Sequence, residues 1–335
     1  MAGKNPLFAG KGGVVSSAMF LCVSANPAID KRIVLPSLVP GEIHRARTVE
    51  NFPGGKSTHV AMVLKALGEQ PHWIGMCGGA AGEQVLSGLR SLGIEPHGVR
   101  VKSETRTNLE IIADSGAVTE IREPGGFVTP DEVGAFEREC KNLFEQGAKS
   151  ATIIFSGSLP PGAPTDLYAR LIAVARSCGC RTMLDASGEA LRVALHAQPD
   201  FVKPNREEAA GVLKRAIDCK DAAGRAVKDL ISLGARSAAV SLGSEGMLYA
   251  PTANSSALFA PGVPLKPRST VGCGDAALAG FAHSIAAGLS SEETLRMATA
   301  CAAANCLADS PGAVRAEAIR EFRAQICVET LRAGP

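Results

Sequence analysis

From Phe20 onward, short apolar runs alternate with longer amphipathic segments, a rhythm that limits the chain to a mainly parallel sheet covered by helices. In order they read FLCVSA, VAMVLKALG, HWIGMCG, EQVLSGLRSLG, ATIIFSG, DLYARLIAVARSCG, RTMLDAS, FVKPN, AAGRAVKDLISLG and SAAVSLG. Ligands of such a sheet gather outside the carboxyl ends of its strands. Five polar loops fall there, SANPAID, FSGSLPPG, LDASG, VKPNREE and SLGSEG, so they converge on one edge.

Two regions break the rhythm. KRIVLP with IHRARTVEN, and TRTNLEIIAD with AVTEIRE, are pairs of alternating runs separated by turn residues. They predict a small β lid over about 30–52 and 104–123, able to exclude water from a reaction or to pack as an extension on a second subunit. With 335 residues and 46% hydrophobic side chains, the chain can bury a large aliphatic core. No repeat or long linker divides it, so one unit is expected over 19–330, after a flexible tail at 1–18.

Charge excludes some partners. Lys plus Arg number 35 against 33 Asp plus Glu, and a net charge of +2 gives no broad attraction to nucleic acid or to an anionic membrane. No apolar run approaches the roughly 18 residues of a membrane span. The ten cysteines lie mostly in apolar stretches, and Cys178 and Cys180 are one residue apart instead of the two of redox or zinc motifs. Reduced thiols in the cytoplasm are the expectation.

The stretch STVGCGDAALAGF carries the clearest chemistry. A glycine turn there delivers Asp275 onto the first turn of a helix, with the amides of Gly272, Cys273 and Gly274 unpaired beside it, so the turn can hold an anion. A base beside an anion hole suggests phosphoryl transfer, although a helix-capping Asp gives the same pattern. Gly272, Gly274 and Ala277 also fit a dinucleotide fingerprint, but PLKPRST before them is not a buried strand and more helix follows. PGGKST resembles the end of a P-loop, yet Glu50 stands where its first glycine belongs, which leaves a P-loop ATPase as a poor alternative.

Other residues fit the same picture, each with a plainer structural use. Gly54 and Gly55 permit close backbone approach to a polar ligand, with Lys56 as a point charge or merely a solvated lysine. Asn205 and Glu208, three apart at a strand-to-helix junction, can order the waters around Mg²⁺ or form a capping box. Lys203 can meet nucleotide phosphate, and Ser241, Gly243 and Gly246 form either a turn against ATP or a simple hairpin turn. Arg106 and Asn108 point to one face of a lid strand, where the arginine can clamp a phosphate or pair at the surface. Asp30 can accept from sugar hydroxyls or cap a turn.

Taken together and in order, SANPAID, PGGKSTHVAMVLKALG, TRTN, SGSLPPG, LDASGEAL, KPNREE, VSLGSEG and STVGCGDAALAGF resemble the ribokinase-like sugar kinases, in the phosphofructokinase B branch that includes 1-phosphofructokinase and tagatose-6-phosphate kinase. The resemblance runs from about Phe20 to the C-terminal helices. It implies an α/β/α sandwich with a β lid, ATP with Mg²⁺ and phosphorylation of a sugar hydroxyl; the sequence leaves a monovalent cation open, and a lid with an apolar face allows a homodimer through it. By that resemblance Asp275 is the catalytic base, with Gly272, Cys273 and Gly274 as its anion hole. Asp30, Gly54, Gly55, Lys56, Arg106 and Ser158 match the sugar side, and Lys203, Asn205, Glu208, Ser241, Gly243 and Asn305 the nucleotide side.

Two departures bear on the substrate: Ser57 replaces a usual glycine, narrowing the space, and His59 replaces a usual asparagine. Retention of Lys56 and Arg106 favours an acceptor that already carries phosphate. Fructose 1-phosphate is expected first, then tagatose 6-phosphate and fructose 6-phosphate, with a neutral sugar or nucleoside as a further acceptor class. A sugar-phosphate sensor that lost catalysis is the non-enzymatic alternative. Cys273, where the family commonly has alanine, points to sensitivity to thiol reagents.

Overall fold

All five residues of Phe20–Ser24, and all five of Thr152–Ser156, are buried, as strands covered on both faces must be. Alternation then splits them between two cores: Leu21 and Val23 face one, Phe20 and Cys22 the other. The computed structural model describes residues 19–147 and 151–331. The tail expected over 1–18 lies outside the described residues.

In chain order, β1 (Phe20–Ser24) is followed by β2 (Ala28–Leu35), β3 (Thr48–Gly54), α1 (Lys56–Ala66), β4 (Pro71–Cys77), α2 (Gly79–Ser91) and β5 (Glu95–Arg100). Then come β6 (Arg106–Ala113), β7 (Val118–Ile121), α3 (Pro130–Gly147), β8 (Thr152–Ser156), α4 (Leu167–Ser177), β9 (Arg181–Asp185) and α5 (Gly188–Leu195). Next are β10 (Phe201–Val202), α6 (Arg206–Leu213), α7 (Lys220–Ser232), β11 (Ala238–Ser241), β12 (Gly246–Ala250) and β13 (Leu258–Pro261). The chain closes with α8 (Cys273–Ala286), α9 (Ser291–Cys306), α10 (Ala316–Gln325) and β14 (Glu329–Thr330).

The large sheet runs β14-β13-β12-β11-β10-β9-β8-β1-β4-β5. Its strands pair in parallel from β5 to β11, and β12, β13 and β14 extend that edge antiparallel. FVKPN contributes only Phe201–Val202, because Pro204 has no N–H to donate and the chain turns there. The small sheet has the order β3-β2-β6-β7. Each predicted pair of runs forms its antiparallel hairpin, and a parallel β2–β6 pairing joins the two.

No disulfide joins any of the cysteines among the described residues. Among the described residues no helix is long and apolar enough to cross a membrane.

Candidate active site

A cavity of about 930 Å³ opens where the carboxyl ends of the large sheet meet the small one. On the small-sheet side, register sets Ala28 opposite Arg106 and Asp30 opposite Asn108, so alternate residues of two strands share one face. Asn108 Nδ2 donates to Asp30 Oδ1 at 2.9 Å. Gly54 does not line the cavity; a Cβ there would overlap the Asp30 carboxyl group, so its glycine makes room for that side chain. Gly55, at φ 92°, occupies the left-handed region, donates its N–H to Asp30 and opens α1.

One turn into α1, buried His59 meets two carboxylates. Its Nε2 lies 2.8 Å from Asp30 Oδ2 and its Nδ1 2.8 Å from Asp275 Oδ2. Burial disfavours the imidazolium, but the bonds and charges of Asp275 and Asp30 outweigh it and push His59 up to about 10. Burial likewise opposes ionisation of Asp30, yet His59, Asn108 and the Gly55 amide hold its carboxyl below the usual range.

Ser57, expected to narrow the sugar site, points elsewhere. It is fully buried, and its hydroxyl bridges the carbonyls of Val23 at 2.5 Å and Ser156 at 2.9 Å. The serine therefore braces two strand ends and does not line the cavity.

Arg106 donates to the carbonyls of Glu123 at 2.8 Å and Asn26 at 2.9 Å. It forms no ion pair among the described residues, so the surface salt bridge that could have explained it is absent there. Ser158 lines the same wall and accepts from Asn26 Nδ2 at 3.1 Å.

On the opposite side, Gly272 (φ 79°) turns the chain into α8, and a Cβ on it would come within 3.0 Å of Pro311 Cβ. One correction concerns the amides: that of Cys273 closes a turn on the Thr270 carbonyl at 3.3 Å. Gly272 and Gly274 line the cavity beside it and are the amides left for an anion. Asp275 is 5% exposed; its Oδ2 is held by His59, and its Oδ1 takes no hydrogen bond from the described residues.

Asn305 is a second correction. It is buried and absent from the cavity wall, with Nδ2 on the Val271 carbonyl at 2.7 Å and Oδ1 on the Gly312 amide at 2.8 Å. It ties the glycine turn to the 310–314 loop and presents no side-chain atom to the cavity wall.

Cys306, unanticipated from the sequence, lies on the cavity wall with its Sγ 3.2 Å from Cys273 Sγ. The shared hydrogen bond, reinforced by burial, pushes the Cys273 thiol up, and the same bond pulls Cys306 down. Reactivity therefore moves to Cys306. Iodoacetamide followed by peptide mapping should find Cys306 alkylated before Cys273, and the reverse order would contradict this pairing.

The cavity wall around Lys56 and Lys203 is organised by a residue that sequence reasoning missed. Asp185, at the carboxyl end of β9 and 1% exposed, accepts from Lys56 Nζ at 2.9 Å and lies 2.7 Å from Lys203 Nζ. Burial pushes its carboxyl up, but the two lysines prevail and hold it at about 2. Burial pulls Lys56 down, and Asp185 and Glu208 more than reverse this. The available signal was its place in LDASG, a polar loop at a strand end.

Asn205 and Glu208 complete both halves of a capping box, the Asn205 side chain on the Glu208 amide at 2.8 Å and Glu208 Oε2 on the Asn205 amide at 2.9 Å. Glu208 Oε1 is 3.6 Å from Lys56 Nζ. Ser241 bridges to Asn205, and with Gly243 and Gly246 it lines the cavity through a single 3₁₀ turn. Among the described residues no group of three or more His, Cys, Asp or Glu side chains could hold a metal ion.

The family model for pfkB family carbohydrate kinases matches residues 21–317. Similar curated proteins include 1-phosphofructokinase of Xanthomonas campestris pv. campestris, 34% identical over 93% of this chain and 98% of that protein. The 1-phosphofructokinase of Rhodobacter capsulatus is 33% identical over 83% of this chain and 87% of its own length. Among solved structures, phosphofructokinase-2 from Escherichia coli in complex with potassium superposes with a TM-score of 0.86 at 28% identity, over 92% of this chain and 99% of that one.

Proposed function

This chain belongs to the pfkB family of carbohydrate kinases, and from that premise we propose that it transfers the γ-phosphoryl group of ATP to a hydroxymethyl group of fructose 1-phosphate, giving fructose 1,6-bisphosphate. The observation that carries the chemistry is Asp275, with one carboxylate oxygen held by His59 and the other without a hydrogen bond from the described residues, beside the cavity-lining Gly272 and Gly274. That free oxygen takes the proton of the acceptor hydroxyl as the sugar oxygen bonds to the γ-phosphorus. The bond between that phosphorus and the β–γ bridging oxygen breaks, and ADP leaves. The amides of Gly272 and Gly274 stabilise charge on the group in flight.

Asn205 and Glu208 would hold Mg²⁺ through its waters, and the ion would offset charge on the phosphoryl group in flight. A metal that keeps most of its waters suits a site whose carboxylates, Asp185 and Glu208, are already partnered by lysines and a helix cap. Lys203 and the Ser241–Gly246 turn flank the triphosphate in this reading. A monovalent cation is a further proposal, tested by exchanging potassium for sodium salts. The small sheet serves as the lid, and its outward Val49 and Ile121, both exposed, form the homodimer contact.

Arg106 holds the acceptor's phosphate, since among the described residues no carboxylate forms a direct ion pair with it. Lys56 has a smaller share, because Asp185 and Glu208 already offset it. Arg106→Ala should raise KM for fructose 1-phosphate by about 10- to 100-fold, the loss of charge-assisted hydrogen bonds, with little effect on an unphosphorylated sugar. Equal effects on both sugars would remove Arg106 from the phosphate. Likeness to E. coli phosphofructokinase-2, whose structure is also known in complex with fructose-6-phosphate, keeps that sugar as a second reading. A panel of free and phosphorylated sugars, tagatose 6-phosphate among them, separates these, and tight binding without ADP release would make the protein a sensor.

A further inference from the structure

The geometry points to His59 as a positioning residue: a cationic clamp that fixes Asp275 and couples its orientation to the sugar-facing Asp30. This rests on the kinase reading above and names how that site is held. An ionised carboxylate accepts hydrogen bonds and donates none, whereas neutral imidazole offers one N–H and one lone pair. Here both ring nitrogens face carboxylate oxygens at 2.8 Å inside the protein. Only the doubly protonated ring donates to both; in a neutral ring one nitrogen would set a lone pair against an oxyanion.

The surroundings leave little other means of restraint. The charged groups facing the ring are Asp30 from β2 and Asp275 from α8. From β6 come Asn108, which is neutral and bonded to Asp30, and Arg106, whose charge acts on Asp30. Lys56, one turn earlier on α1, is bonded to Asp185, and the 310–314 loop approaches the His59 backbone through Gly312 without a charge. Among the described residues Asp275 Oδ2 therefore has a single hydrogen-bond partner, and that partner is the histidine.

An asparagine at this position carries both of its N–H donors on one nitrogen and cannot span two carboxylates on opposite sides. The clamp is thus particular to the histidine in this chain. It makes the base and the sugar subsite share one cation, so losing it should disturb kcat and the acceptor's KM together while sparing KM for ATP.

The first test is independent of turnover. In ¹⁵N-histidine-labelled full-length protein at pH 8, the His59 ring, assigned by its absence in His59→Asn, should show protons on both nitrogens, although an ordinary imidazole is neutral there. A neutral ring, or one titrating near its ordinary value, overturns the clamp. If the labelled ring is doubly protonated but no sugar is phosphorylated, the clamp stands and the kinase reading fails.

The second test uses rates. His59→Ala should lower kcat by about 10- to 100-fold, the scale of a misplaced catalytic group, with KM for ATP within about twofold of wild type. Wild-type kcat should fall as the pH rises through about 10, where the folded imidazolium deprotonates. Both His59→Ala and His59→Asn should lack that limb, and its persistence in either overturns the proposal. The asparagine variant serves alone if the alanine variant does not fold.

Discussion

Asp275→Asn should lower kcat by about 10²- to 10⁴-fold, the range expected when a positioned general base is removed. The amide has nearly the shape of the carboxylate and can still accept from His59 Nδ1, so packing at the start of α8 should be preserved. It cannot take up the hydroxyl proton as the sugar oxygen attacks. Since substrate contacts made elsewhere in the cavity are untouched, the loss should fall on kcat more than on KM for either substrate. ADP release dependent on ATP and fructose 1-phosphate measures it, with far-UV circular dichroism to establish that the variant is folded. Near-normal turnover would remove Asp275 from the role of base.

The largest expected effect on stability is at Asp185. Its carboxylate is the common partner of Lys203, itself 2% exposed, and of Lys56. Replacing one member of a buried ion pair costs about 3–5 kcal/mol because the charge left behind has neither water nor counterion. Asp185→Asn should lower the unfolding free energy by an amount in that range, read from urea unfolding at pH 7. Its pH dependence supplies a second signature.

In the folded protein the Asp185 carboxyl is held down at about 2, below its unfolded value near 4. A depressed carboxyl stabilises the fold above the unfolded value and loses that contribution as the pH falls toward the folded one. Between about pH 4 and pH 2 the wild type should therefore lose stability more steeply than Asp185→Asn. Parallel acid limbs in the two proteins, or an unchanged urea midpoint at pH 7, would show that the lysines find other partners.

How far the site could be read from the sequence varied with the reach of each interaction. The glycine turn at 272–274, the Asn205–Glu208 cap and the shared face of Arg106 and Asn108 were all legible, because each is set by residues within a few positions of one another. The errors came from contacts over long separations. Ser57 proved to be bonded to two strand ends, and Asn305 to loops on either side of it in the chain, so neither faces the cavity. Asp185 and Cys306 escaped notice because their partners, Lys56 and Cys273, lie far away in sequence.

What the amino-acid order determined on its own was the layered α/β architecture, the small sheet and the helix that carries Asp275, since periodicity and turn chemistry act over a few residues. Tertiary structure alone decided the charge pairing: one histidine shared by two aspartates, and one aspartate shared by two lysines. A carboxylate's partners depend on which side chains the crossovers bring to the same sheet edge, and on how little water remains there to compete. Neither quantity is written in local spacing.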